Sequence, residues 1–192
     1  RLTRVLSSSR FAADMLETIP SAVAWLERDE LLRPVALPVL LEEMRALASR
    51  RETIDSAAEA LRAVHRREVL RLALGRLVFV NDDADVARGL DAAHTALLDG
   101  LLLALRDRER DRDEADLAQD SDPLQQPELA LIAMGRYGGR ELGFASDLDM
   151  LVVYRVAGKA DESQAAEARR KAERLIAELR RLVGDPRFSV DL

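Results

Sequence analysis

Asp147 and Asp149 stand one residue apart, just after a loop that carries glycines at 135, 138, 139 and 143. In an extended chain successive side chains alternate, so these two aspartates point to one side and Leu148 to the other. Carboxylate oxygens are the hard ligands that Mg²⁺ accepts, and Mg²⁺ is usually held by one or two carboxylates plus substrate phosphates. Glycine tolerates positive φ and lets backbone N–H groups come close to a ligand, so Gly135, Gly138 and Gly139 can cradle phosphate. Ser146 adds a hydroxyl beside the acid pair. The set reads as a nucleoside triphosphate site. It also fits a glycine-rich turn into an ordinary strand whose aspartates face water, and spacing alone leaves both readings open.

Two short strands would have to position this loop. Leu129 to Met134 is a continuous apolar run bounded by Pro127 and Gly135, which predicts a strand buried on both faces. The second strand opens with Ser146-Asp147-Leu148-Asp149 and runs to Tyr154.

Residues 135–149, Gly-Arg-Tyr-Gly-Gly-Arg-Glu-Leu-Gly-Phe-Ala-Ser-Asp-Leu-Asp, closely resemble the signature of the glutamine synthetase adenylyltransferases. These are two-headed bacterial enzymes whose halves attach and remove AMP on glutamine synthetase. The resemblance implies a polymerase-β-type nucleotidyltransferase fold. It departs from the wider superfamily in having Gly-Arg where many members have Gly-Ser, although this family itself carries a basic residue there. The transferring half tends to have Gly after Glu-Leu and the removing half Asn, so Gly143 favours the transferring, C-terminal half.

The chain has 192 residues, 48% of them hydrophobic and 33% charged, which suits a soluble globular protein of one or two domains. Cysteine is absent, so neither a disulfide framework nor a thiolate metal site can form, and the expected compartment is the reducing cytoplasm. No apolar run approaches a membrane span, and Arg1-Leu2-Thr3-Arg4 is not followed by a signal-type segment, so no membrane partner or export is expected. The net charge of −6 argues against a nucleic-acid partner, whose phosphates call for a dense basic surface.

The expected fold class is α+β, with a helical region over residues 1–117 and a nucleotidyltransferase domain, truncated at its C-terminal end, over 118–192. Residues 7 to about 50 read as short helices broken by prolines, with Pro20 and Pro38 in first turns and Pro34 at a bend. Trp25 is expected in helix packing rather than as a stacking platform. Ser56 and Glu59 have capping-box spacing before a helix through Leu77. The polar face of that helix carries Arg62, His65, Arg66, Arg67 and Arg71, read either as a solvated basic face or as a phosphate or partner contact. The stretch Ala60 to Leu77 also resembles the helical part that precedes the nucleotidyltransferase domain in this family. His65 and His94 lack ligand partners at i+3 or i+4 and are not expected to bind metal.

Asp83 is placed as the cap of a long helix whose apolar stripe, Val86, Leu90, Ala93, Leu97, Leu98, Leu101, Leu102 and Leu105, should be core. Alternating charges from Arg106 to Asp116 support i, i+4 pairs beyond it. Residues 117–127 read as a linker, and a charged helix is expected over roughly 163–182, stopped by Gly184-Asp185-Pro186. Phe188 to Leu192 reads as the start of another strand. By resemblance, Asp191 there matches the third carboxylate of the family.

Adenylyl transfer needs a hydroxyl in line with the α-phosphorus and a neutralised pyrophosphate leaving group. The expectation is that Asp147 and Asp149, completed by Asp191, hold one or two Mg²⁺ ions on ATP, while Gly135, Gly138, Gly139 and Ser146 contact phosphates. Asp191 would also help deprotonate the attacking tyrosine of glutamine synthetase. Arg136 either neutralises phosphate or pairs with Glu141 as structure. Three activities fit: ATP-dependent AMP transfer to a protein tyrosine, phosphorolytic removal of that nucleotide, and a non-catalytic nucleotide-sensing or partner-docking module. Glutamine synthetase and a PII-type signal protein are the partners the resemblance implies.

Overall fold

The structure, a computed structural model, describes residues 1–116, 128–155 and 162–184. The expected linker, the strand at 188–192, the boundary at 117/118 and Asp191 lie outside the described residues. The fold is α+β: mostly helical, with a small antiparallel sheet.

Two short helices, α1 (Leu2–Ser8) and α2 (Arg10–Thr18), lead into 3-10 turns at Pro20–Glu27 and Asp29–Leu32. Pro20 opens the first of these turns. Pro38 lies in the first turn of α3 (Leu37–Ala48), where its missing N–H costs nothing. These N-terminal pieces enclose their own cluster of Val5, Ala12, Met15, Leu16, Leu26 and Leu32, closed from below by Leu70 and Leu74 of α4 (Ile54–Leu77). Trp25 packs against this cluster with the Arg71 guanidinium 4.8 Å above its ring, a packing role as expected.

The cap of α4 is Thr53, whose hydroxyl accepts from Ser56 N–H at 3.2 Å, so the helix starts earlier than the Ser56 spacing suggests. Likewise Asp82, not Asp83, caps α5 (Asp83–Asp116). Asp82 Oδ1 accepts from Asp85 N–H at 2.7 Å, and Asp85 Oδ2 accepts in return from Asp82 N–H at 3.2 Å. A second acid three residues on makes this a reciprocal box, a feature that Asp83 alone does not have.

The arginine-bearing face of α4 is neither a solvated face nor an open phosphate contact. Arg62 and Arg66 both reach Glu59, at 3.0 and 2.7 Å. Arg67 forks onto Glu43 of α3 with two bonds of 2.8 Å and also reaches Glu68, and Arg71 joins Glu68 at 2.9 Å. Glu68 is only 2% exposed, so the two guanidiniums on its oxygens are what allow that carboxylate to be buried. His65, from the same face, turns inward instead.

Most of the expected stripe of α5 is core: Val86, Leu90, Ala93, Leu97, Leu98, Leu101 and Leu105 are buried against α3 and α4, and Leu102 is only partly buried against them. The cluster continues without a break into Tyr137, Leu142 and Leu148 of the loop region and into Leu175, Leu179 and Leu182 of α7 (Glu162–Val183). Arg62 Nη1 donates to the Leu182 carbonyl at 2.7 Å and Arg181 reaches Asp55 at 2.8 Å, which pins the last turn of α7 to α4.

Strands β1 (Glu128–Ala133) and β2 (Met150–Arg155) pair antiparallel, with Glu128 opposite Arg155 and Ala133 opposite Met150. Of the expected mixed sheet, the described residues show this one pair. The run Leu129–Met134 is not buried on both faces. Leu129, Leu131 and Ala133 pack on the core, while Ile132 (44% exposed) and its partner Leu151 (54%) face outward. A strand reads as apolar throughout when both faces are covered, and here helices cover one.

Candidate active site

The ladder between β1 and β2 runs one bond beyond the strands, because Met134 N–H donates to the Asp149 carbonyl at 2.8 Å. That bond brings the glycine loop back beside the aspartates. Gly135 follows with φ +51, in the left-handed region that favours glycine. A β-carbon placed on it would lie 2.5 Å from Asp149 Oδ2, so any other residue here would displace that carboxylate. Gly135–Gly138 then form one helical turn, α6. Gly138 is also needed for space, since a β-carbon there would meet the Ala133 carbonyl oxygen at 2.6 Å.

The loop amides divide into two sets. Gly138 N–H donates to Met134 O at 2.7 Å and Gly139 N–H to Gly135 O at 3.0 Å, so in this conformation these two glycines shape the loop instead of offering donors. Among the described residues the amides of Gly135 and Arg136 have no such acceptor, and both residues are exposed. No ion pair joins Arg136 to Glu141 among the described residues. They meet through backbone, Glu141 N–H donating to Arg136 O at 2.8 Å, which leaves the Arg136 side chain in solvent.

Strand β2 begins at Met150, later than the expected Ser146, because Phe144 and Ala145 form a turn. The alternation nevertheless holds across Asp147-Leu148-Asp149. Leu148 is 1% exposed and buried in the main core, while Asp147 and Asp149 are both exposed. Leu148 therefore acts as the peg that turns both carboxylates outward. Ser146 Oγ accepts from Gly143 N–H at 2.9 Å and keeps its own proton to donate. Phe144, in the same turn, touches Phe11 of α2 with ring centroids 6.4 Å apart.

This donor set suits magnesium. Two exposed carboxylates offer only hard oxygen ligands, and the Gly135 and Arg136 amides next to them can bind the phosphate that would share the cation. Among the described residues no three His, Cys, Asp or Glu side chains gather. Asp191, the third expected carboxylate, lies outside the described residues.

Tyr137, within α6, is a residue that the motif spacing did not single out. It is 5% exposed, and its hydroxyl lies 2.8 Å from Thr95 Oγ1 on α5. Burial pushes its phenol above the usual range. The signal for it was present as a large ring set between the glycines at 135 and 138. His65 and His94, 29 positions apart, also meet, edge to face at 4.6 Å between α4 and α5. His94 Nδ1 lies 2.7 Å from the Leu90 carbonyl. No metal-ligand group of three forms there among the described residues.

A groove of about 830 Å³ between α4, α5 and α7, lined in part by Asp55, Arg108, Glu109 and Arg181, contains no residue of the 128–155 segment and is separate from this site. No helix among the described residues is long and apolar enough to cross a membrane.

Residues 1–192 match the family model described as glutamate-ammonia ligase adenylyltransferase. A bifunctional glutamine synthetase adenylyltransferase/adenylyl-removing enzyme of Leifsonia xyli subsp. xyli is 46% identical over 192 residues, which is all of this chain and 18% of that protein. Proteins of the same description from Cutibacterium acnes and Bifidobacterium longum are 32% and 31% identical over 195 and 188 residues, covering 18% and 16% of their lengths. The chain thus spans about a fifth or less of the length of the curated relatives it matches. With a match along its whole length, the chain belongs to the glutamate-ammonia ligase adenylyltransferase family of nucleotidyltransferases.

Proposed function

We propose that this chain carries the catalytic loop for ATP-dependent transfer of AMP onto a tyrosine of glutamine synthetase. The observation that supports this most is the packing of the Gly135 backbone against Asp149, with the Gly135 and Arg136 amides, which have no backbone acceptor, next to a pair of exposed carboxylates. Asp147 and Asp149, joined by Asp191, would hold Mg²⁺, which supplies charge neutralisation on the triphosphate and its leaving pyrophosphate. The Gly135 and Arg136 amides and the Ser146 hydroxyl bind phosphate oxygens, and the Arg136 guanidinium adds positive charge from solvent. Gly138 and Gly139 contribute through the shape of the loop. Asp191 accepts the proton of the attacking tyrosine hydroxyl.

Removal of AMP by phosphate passes through the same charged phosphorus centre, so the carboxylates serve either direction. Gly143 favours transfer. Its φ is not in the left-handed region, and a β-carbon there would sit 3.6 Å from Ser146 Oγ, an ordinary contact. The backbone would therefore accept the Asn of the removing half, and glycine at 143 is a feature of sequence rather than a demand of this turn.

Nucleotide binding should depend on metal through these aspartates. Titrating ATP into the intact polypeptide bearing this chain, with and without Mg²⁺, should show Mg²⁺-supported binding that Asp149→Asn weakens at least tenfold while the melting temperature is kept. Equal titrations for parent and variant would refute the site.

A further inference from the structure

We propose that Thr95 on α5 is a positioning residue for the nucleotide loop, holding the Gly135 and Arg136 amides at their working height through its hydrogen bond to Tyr137. The inference rests on the nucleotide-site reading above and adds to it the element that sets the loop.

Composition makes this loop costly to order, because glycine loses the most backbone freedom on folding. Its flanks are fixed by β1 at one end and by the buried side chains of Leu142 and Leu148 at the other. Between them, the only side chain of residues 134–141 that is buried is Tyr137. Tyr137 immediately follows the Gly135 and Arg136 amides within the single turn α6, so a shift of the Tyr137 backbone carries those amides with it. The Thr95 hydroxyl, 2.8 Å from the phenol oxygen, is the polar contact that selects one ring position out of those that apolar packing would permit.

An electrostatic interaction acts at the other end of the segment. Asp91 lies one turn before Thr95 on the same face of α5. Its carboxyl is pushed up by burial and held down in part by the Arg140 guanidinium. Arg140 closes the loop with φ +58, a conformation uncommon for a residue with a side chain and kept only where the surroundings impose it. Thr95 thus bonds one end of the segment from Tyr137 to Arg140, while Asp91, four residues earlier on α5, interacts electrostatically with Arg140 at the other. If the loop samples other positions, apparent ATP affinity falls by the fraction of time it is out of place.

The test measures ATP KM and kcat of the intact polypeptide for Thr95→Val, Tyr137→Phe, their combination and Thr95→Ser. Asp149→Asn and Val5→Ala, the latter a cavity in the separate N-terminal cluster, serve as controls. Thr95→Val should raise the ATP KM about three- to tenfold, the factor set by one net hydrogen bond, with kcat at saturating ATP nearly unchanged. Thr95→Ser should restore the parent KM. The double variant should be no worse than either single, because both remove the same bond. A KM that Thr95→Val leaves unchanged while Asp149→Asn abolishes activity would overturn the positioning role alone. A KM that rises equally in Val5→Ala would also overturn it, since general loosening would then explain the effect. Unchanged ATP binding in Asp149→Asn would remove the nucleotide site and this inference with it.

Discussion

Gly135 and Asp149 are in such close apposition that a β-carbon on the glycine would stand 2.5 Å from the carboxylate oxygen Oδ2. The glycine thus does two things at once: it takes a left-handed φ of +51 and it leaves room for the acid. Gly135→Ala must either push Asp149 aside or shift the loop. The strained φ alone costs about 1 kcal/mol. The expected outcome is a fall in Mg²⁺-supported ATP affinity of more than tenfold with only a small drop in melting temperature, read by calorimetry and thermal unfolding of the same samples.

Glu68 is the buried hub of the α3–α4 ion network. Glu68→Gln keeps its shape but leaves Arg67 and Arg71 without the charge that offsets their partial burial. Breaking one partner of a buried pair costs about 3–5 kcal/mol, although Arg67 retains its fork onto Glu43 and the loss should fall toward the lower end. Urea unfolding of the two proteins checks this.

The His65–His94 pair gives stability a pH dependence. Burial holds both imidazoles below their ordinary value of 6.5, and for His65 the neighbouring His94 and the Arg66 guanidinium act in the same direction. For His94 the Leu90 carbonyl opposes the shift, less strongly than burial drives it. Below about pH 6.5 the unfolded chain takes up protons that the folded chain refuses, so stability is complete above that pH and falls below it. The slope is up to about 1.4 kcal/mol per pH unit for each histidine. Glu43 and Glu59, both held below 4.5 chiefly by hydrogen bonds from arginines, add their own loss only in more acid solution. Denaturant midpoints at pH 7.5, 6.5 and 5.5 should therefore decline stepwise, and His94→Gln should flatten the decline.

What the sequence revealed and what it hid divide by distance along the chain. The α5 stripe and the outward turn of Asp147 and Asp149 about Leu148 are local periodicities, and the structure keeps both. The arginine face of α4 was legible only in part. Glu59 lies at helical spacing from Arg62 and Arg66, but Glu43 comes from another helix, and no pattern within α4 marks it. Tyr137 with Thr95, and His65 with His94, are pairings across 42 and 29 positions that exist only once α5 has packed. The one-sided burial of β1 was hidden because Leu129–Met134 has no polar residue on its outer face to reveal the alternation.

The proposed transfer of AMP onto glutamine synthetase can be tested at the loop itself. The most direct measurement supplies the intact polypeptide, changed only to Asn at Asp147 and Asp149, with unmodified glutamine synthetase and labelled ATP. A parallel reaction supplies the adenylylated enzyme with phosphate. Loss of label transfer with removal retained is the predicted result. Retained transfer with removal lost would contradict it and assign this site to the opposite reaction.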